Sequence, residues 1–139
     1  MGWRLASPRV RIVAWPVTAA YGAGMGDFVI RRWDLDPYPG DMAPPHVHHA
    51  SDEAFCVLDG RLEVLVGSQR QVIRPGEHVL VPAGTTHTFA TVGDDPVSVI
   101  AVMTEEVDAL VTALHQVSTP AERAAVWARF RSSPVTMDG

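Results

Sequence analysis

Three imidazoles and two carboxylates fall within eight consecutive residues, from His46 to Glu53. His46 and His48 stand two apart, so on a β-strand both rings share one face. Glu53 follows His48 by five positions, an odd number, and a straight strand would turn it the other way. Residues 49–52 must therefore break the strand as a short polar loop. The chain then returns as an antiparallel strand, with Glu53 facing the same two histidines. Nitrogen and oxygen donors on one face suit a borderline divalent metal. Residues 76–91 carry a further imidazole, His87, behind a turn at Pro82 and Gly84.

Both stretches have a fixed internal spacing. The first reads Gly40, five residues, His46, one, His48, four, Glu53, six, Gly60. The second reads Gly76, five, Pro82, one, Gly84, two, His87, then three more to Thr91. These resemble the two motifs of the cupin superfamily, with one departure: Thr91 stands where the family pattern has Asn. The flanking residues, among them Pro44, Pro45, Asp52, Asp59, Thr86 and Phe89, resemble the quercetin-dioxygenase-like branch of small bacterial single-domain cupins. The resemblance implies an antiparallel β-barrel (jelly roll) holding one divalent transition metal on His46, His48, Glu53 and His87. Three neutral histidines and one carboxylate leave positions open on a six-coordinate ion. That set is similar to iron, manganese or nickel cupins rather than to a closed structural zinc site. The resemblance further implies that the metal holds a substrate oxygen and O₂, with Glu53 as the catalytic group that takes a substrate proton. Thr91 leaves the ligands intact and puts any role of the missing amide in question.

The remaining polar residues carry blander expectations. His49 points away from His48 by alternation and belongs to a loop or the surface. Asp52 is solvated, or holds an imidazole N–H. His78 shares phase with Leu80 and Pro82 and is a structural or edge residue. His115 is expected on the second helix, exposed. Cys56, three after Glu53, faces away from it as a small buried hydrophobe. Phe55, Val57, Phe89 and Thr91 share phase with Glu53 or His87 and are the candidates for pocket lining, although core packing fits the two phenylalanines equally.

The elements that must position these residues are short. Residues 9–15 and 28–35 read as strands, separated by a glycine-rich loop at residues 21–26 that lacks a phosphate-binding pattern. Residues 55–58 and 61–66 flank Asp59 and Gly60, a hairpin signal. A second tight hairpin joins residues 61–66 to 69–73 through Gly67 and Ser68. Further strands follow at 78–81, 86–92 and 97–102. Such closely spaced strands indicate a barrel or sandwich. The period then becomes helical at Val107, Leu110, Val111, Leu114 and Val117. Thr119, Pro120 and Glu122 form a capping box that opens a second helix reaching about Arg131. The expected organisation is one domain over residues 1–139: an all-β barrel over about 9–103, then two C-terminal helices over about 104–131.

The chain has 139 residues, 47% hydrophobic and 19% charged, enough for a real core. A net charge of −5 without a basic cluster argues against nucleic acid as a partner. The single cysteine excludes an intrachain disulfide. No apolar run has the length of a signal peptide or a membrane span, so a cytoplasmic location with no membrane partner is expected. The expected partner is a small-molecule substrate, with a homodimer formed through residues 12–15, an apolar strand with no evident hairpin partner. Three functions are compatible with this site: a dioxygenase-type oxidoreductase acting on a hydroxylated or aromatic molecule, a Lewis-acid isomerase, cyclase or lyase, and a non-catalytic binding module.

Overall fold

The structure, a computed structural model, describes residues 10–13 and 28–136. The glycine-rich stretch at 21–26, and residues 9, 14 and 15 of the first expected strand, lie outside the described residues. Strands form where large apolar residues alternate with smaller or polar ones. In β4 (Glu53–Asp59), Glu53, Phe55 and Val57 are buried while Ala54 and Cys56 are half-exposed. In β9 (Val97–Thr104), Val97, Val99, Ala101 and Met103 turn inward. A period of two thus sets one face of each strand toward the interior.

The strands assemble into two five-stranded antiparallel sheets. The first has β1 (Val10–Val13), β2 (Phe28–Leu35), β9, β4 and β7 (His78–Val81), in that order. The second has β10 (Ser132–Pro134), β3 (His46–His48), β8 (His87–Thr91), β5 (Leu62–Val66) and β6 (Gln69–Ile73). Most connections between successive strands pass from one sheet to the other, giving a jelly-roll barrel. The inner faces meet in one core, with Trp33, Leu35, Phe55, Leu62, Phe89 and Val99 among its members.

Three expectations need correction. Asp59 and Gly60 do not form a hairpin: β4 and β5 lie in different sheets. Gly60 has φ +79°, and a Cβ there would sit 2.4 Å from the Pro96 carbonyl oxygen. The glycine lets this corner cross tightly beneath the β8–β9 connection. The hairpin expected at Gly67 and Ser68 does form, pairing Val66 with Gln69. The first strand is not without a partner either, because β1 pairs with β2 from Val10↔Leu35 to Val13↔Arg32. Finally, the chain does not end its regular structure in a helix, because β10 follows and pairs with β3.

Helix α1 (Glu105–Gln116) is capped by the Thr104 hydroxyl, which accepts from the Val107 N–H. Its buried stripe is Val107, Leu110, Val111 and Leu114. Helix α2 (Pro120–Arg129) opens on the expected box: the Thr119 hydroxyl accepts from the Glu122 N–H and donates to its carboxylate. Trp127 is its buried anchor. His115 lies on α1, half-buried, with Nδ1 donating to the Val111 carbonyl, because the helix turns that ring along its own backbone. No helix among the described residues is long and apolar enough to cross a membrane.

Candidate metal centre

Strand β3 is only three residues long, because Pro44 and Pro45 before it lack an N–H to pair. The segment ahead of it is tied to β8: the Met42 N–H donates to the Phe89 carbonyl and the Thr88 hydroxyl to the Ala43 carbonyl. This sets His46 directly opposite His87 across the β3–β8 pair. Glu53 reaches the same space from the other sheet. Its strand does not pair with β3, as the antiparallel-return reading implied; it faces β3 across the barrel interior. The loop at 49–52 carries out that change of sheet.

The four side chains converge in the barrel interior, each at most 4% exposed. One ring nitrogen from each of His46, His48 and His87 lies within 4.8 Å of those of the other two. The ring centroids are 4.3 Å apart for His46 and His87, and 4.9 Å for each of the other two pairs. Oε1 of Glu53 stands 3.2 Å from Nε2 of His87 and 3.8 Å from Nε2 of His48.

Hydrogen bonds at the outer nitrogens fix the tautomers. His46 Nδ1 is 2.8 Å from the Pro44 carbonyl, and His87 Nδ1 is 2.9 Å from the Thr85 carbonyl. A carbonyl only accepts, so both Nδ1 atoms carry the hydrogen. In a neutral ring Nε2 then offers a lone pair. At His87, Nε2 stands 3.2 Å from Glu53 Oε1, close enough for a shared proton or a bound cation to bridge the two. Burial and the neighbouring imidazoles push His46 well below its ordinary pKa. Burial lowers His48 to about 4, against the opposing pull of Glu53. Three imidazole nitrogens within 4.8 Å of one another, beside one carboxylate, fit a divalent transition metal.

The remaining expected residues fall as follows. Phe55 and Phe89 pack on Trp33, at centroid distances of 6.2 and 5.9 Å, and Val57 is buried in the same cluster. Thr91 Oγ1 accepts from the Tyr38 N–H at 2.9 Å and reaches the Tyr38 carbonyl at 3.2 Å. One hydroxyl thereby serves as both acceptor and donor to the turn before β3. His49 is exposed, with Nε2 2.6 Å from the Ser133 hydroxyl, and His78 is exposed on edge strand β7. Asp52 is exposed and accepts from the Ala83 N–H, away from the imidazoles. Cys56 is half-buried rather than buried, since the outer face of β4 is only partly covered.

Two contributors went unnoticed in the sequence. Trp127 lies 5.3 Å from the His46 ring, and Ser132 Oγ lies 2.8 Å from His48 Nδ1. A lone tryptophan among the alanines of α2 signals an anchor, whereas nothing local marks Ser132. Trp127 also lines an open cleft of about 1510 Å³ between α2, β10 and the turn before β3. None of the four expected ligands lines that cleft, so the indole is the wall shared between it and His46.

The family model described as "Cupin domain" matches residues 35–103, which contain all four converging residues. Quercetin 2,3-dioxygenase of Bacillus subtilis (strain 168) is 40% identical over 50 residues, 36% of this chain and 15% of that protein. "Polyketide synthase CurC" of Streptomyces cyaneus is 30% identical over 86 residues, 62% of this chain and 52% of that protein. The chain thus spans about half the length of the latter and far less of the former. Among solved structures, the polyketide cyclase RemF from Streptomyces resistomycificus superposes with a TM-score of 0.51 at 25% identity, covering 58% of this chain and 56% of that one.

Proposed function

Since the chain belongs to the cupin superfamily, we propose that it is a metal-dependent enzyme of the dioxygenase type, acting on a small hydroxylated or aromatic molecule. The observation that carries the metal is the convergence of three buried ring nitrogens, of His46, His48 and His87, within 4.8 Å of one another, with the Glu53 carboxylate 3.2 Å from His87 Nε2. The identity to a quercetin dioxygenase over 50 residues supports the oxidative reading. His46, His48, Glu53 and His87 would hold iron, manganese or nickel in preference to zinc. Bound there, the metal would supply open coordination positions and redox chemistry.

The protein's own groups then have separate tasks. Glu53, whose Oε1 is 3.2 Å from His87 Nε2, would be the group that accepts a proton from a substrate hydroxyl. The burial of His46, His48, Glu53 and His87 would strengthen each charge interaction there. Trp33, Phe55 and Phe89 pack on one another in the core beneath the site, which makes them support for the strands that carry the four residues. The test is O₂ consumption by metal-loaded protein across a panel of phenols and enols. A substrate found this way should stop turning over under strict anaerobiosis and resume on admission of O₂.

A second reading uses the same ligands as a Lewis-acid site for cyclisation, isomerisation or elimination. The likeness to two polyketide-associated proteins over roughly three-fifths of the chain favours it. Full turnover without O₂, with Zn²⁺ replacing the native metal, would move the assignment there. Tight binding of a small molecule without turnover under any metal would identify a binding module instead.

A further inference from the structure

We propose that Ser132, on the C-terminal strand β10, is a positioning residue for the metal centre: its hydroxyl holds the His48 imidazole in the tautomer and orientation that coordination requires. The inference rests on the metal reading above and concerns a residue beyond the 35–103 segment matched by the cupin model.

The geometry separates His48 from its two companions. His46 and His87 are each oriented by a main-chain carbonyl two residues earlier, supplied by the local turn. His48 has no such local partner at Nδ1, and the group there comes from 84 residues further along the chain. Ser132 is 4% exposed, and its Oγ is 2.8 Å from His48 Nδ1. The same Oγ is 3.2 Å from the Phe130 carbonyl. A serine hydroxyl has one hydrogen. Given to the Phe130 carbonyl, which only accepts, it leaves an Oγ lone pair toward His48. Nδ1 must then carry the ring hydrogen, and Nε2 turns a lone pair toward Glu53 and the other histidines.

Main-chain contacts hold the serine in register. Ser132 pairs with His48 across β10 and β3. The His49 N–H donates to the Arg131 carbonyl at 2.9 Å, and the Val135 N–H to the Pro45 carbonyl at 2.7 Å. Arg131 also forks onto the Glu106 carboxylate of α1. The C-terminal strand thereby completes a centre whose ligands all lie earlier in the chain.

The experiment measures Co²⁺ affinity by competition with a chelator, together with the His48 ring ¹⁵N shifts of the metal-free protein. Ser132→Ala should lose about 10- to 100-fold in affinity, Ser132→Thr should recover most of it, and Ser133→Ala, one residue on and facing His49, should leave it unchanged. The wild-type ¹⁵N shifts should report hydrogen on Nδ1 of His48, and Ser132→Ala should mix the tautomers. A Thr variant as weak as Ala, or a Ser133→Ala loss as large, would assign the effect to strand packing and overturn the proposal. So would a wild-type His48 carrying its hydrogen on Nε2, a reading that stands even if the Ala variant does not fold. Wild-type protein that binds no Co²⁺ would sink the metal reading itself, while the ¹⁵N shifts still decide the role of Ser132.

Discussion

At the scale of single residues, three buried ring nitrogens and one carboxylate share a single space. Each of His46, His48 and His87 brings one ring nitrogen to the shared space, so an alanine at any of them should lower metal affinity sharply. Glu53→Ala should weaken it less, because water can take over one carboxylate position. Chelator competition on the four variants ranks them, and a Glu53 loss exceeding every histidine loss would reverse the expected order. The depressed histidines also make a pH prediction for the metal-free protein. Between about 4 and the ordinary 6.5, the unfolded chain protonates His48 while the folded one does not. Unfolding then takes up a proton, so stability is complete above 6.5 and is lost as pH falls toward 4. His48 alone is worth on the order of 3 kcal/mol across that window, and His46 adds in the same direction. The metal-free melting temperature should fall steadily from pH 6.5 to 4.5, and a flat profile would contradict the buried site. The two-residue spacing made the shared face of His46 and His48 visible in the sequence, while Glu53 and His87 joined them through the resemblance to the cupin motifs. Ser132 was not visible, since its meaning comes only from the strand it meets.

At the scale of elements, what alternates is legible and what crosses is not. Strands β4 and β9 follow directly from their inward residues, and both helix starts from their caps and apolar stripes. Sheet membership is a different matter. Asp59 and Gly60 have hairpin chemistry, yet the inward faces of β4 and β5 are buried only if the two strands lie in opposite sheets. Local turn propensity yields there to the barrel interior. Likewise Ser132, Ser133 and Pro134 have no strand pattern, and β10 exists because β3 offers it an edge. The corner at Gly60 makes this testable. Gly60→Ala adds a Cβ 2.4 Å from the Pro96 carbonyl oxygen at φ +79°. It should destabilise the fold by more than about 1 kcal/mol, read by urea denaturation. An unchanged midpoint would mean that the crossing is not tight.

At the scale of the whole molecule, the outer face of the first sheet is the feature the monomer does not explain. Ile30, Val102, Ala54 and Leu80 lie in one row across β2, β9, β4 and β7. Ile30 and Leu80 are 54% and 58% exposed, and Phe28 beside them 63%. The homodimer expected from an unpaired first strand loses that premise, because β1 pairs with β2. The apolar row is the better ground for it, since such a face is costly in water. Light scattering at micromolar concentration should give a dimer, and Leu80→Glu should give a monomer. A monomeric parent protein would contradict this. The central claim is the metal itself, and elemental analysis of protein purified without added metal and dialysed against buffer tests it most directly. Close to one transition-metal ion per chain is expected in the parent protein, and none in the variant with His46, His48 and His87 all changed to alanine. Stoichiometric metal retained in that triple variant would contradict it.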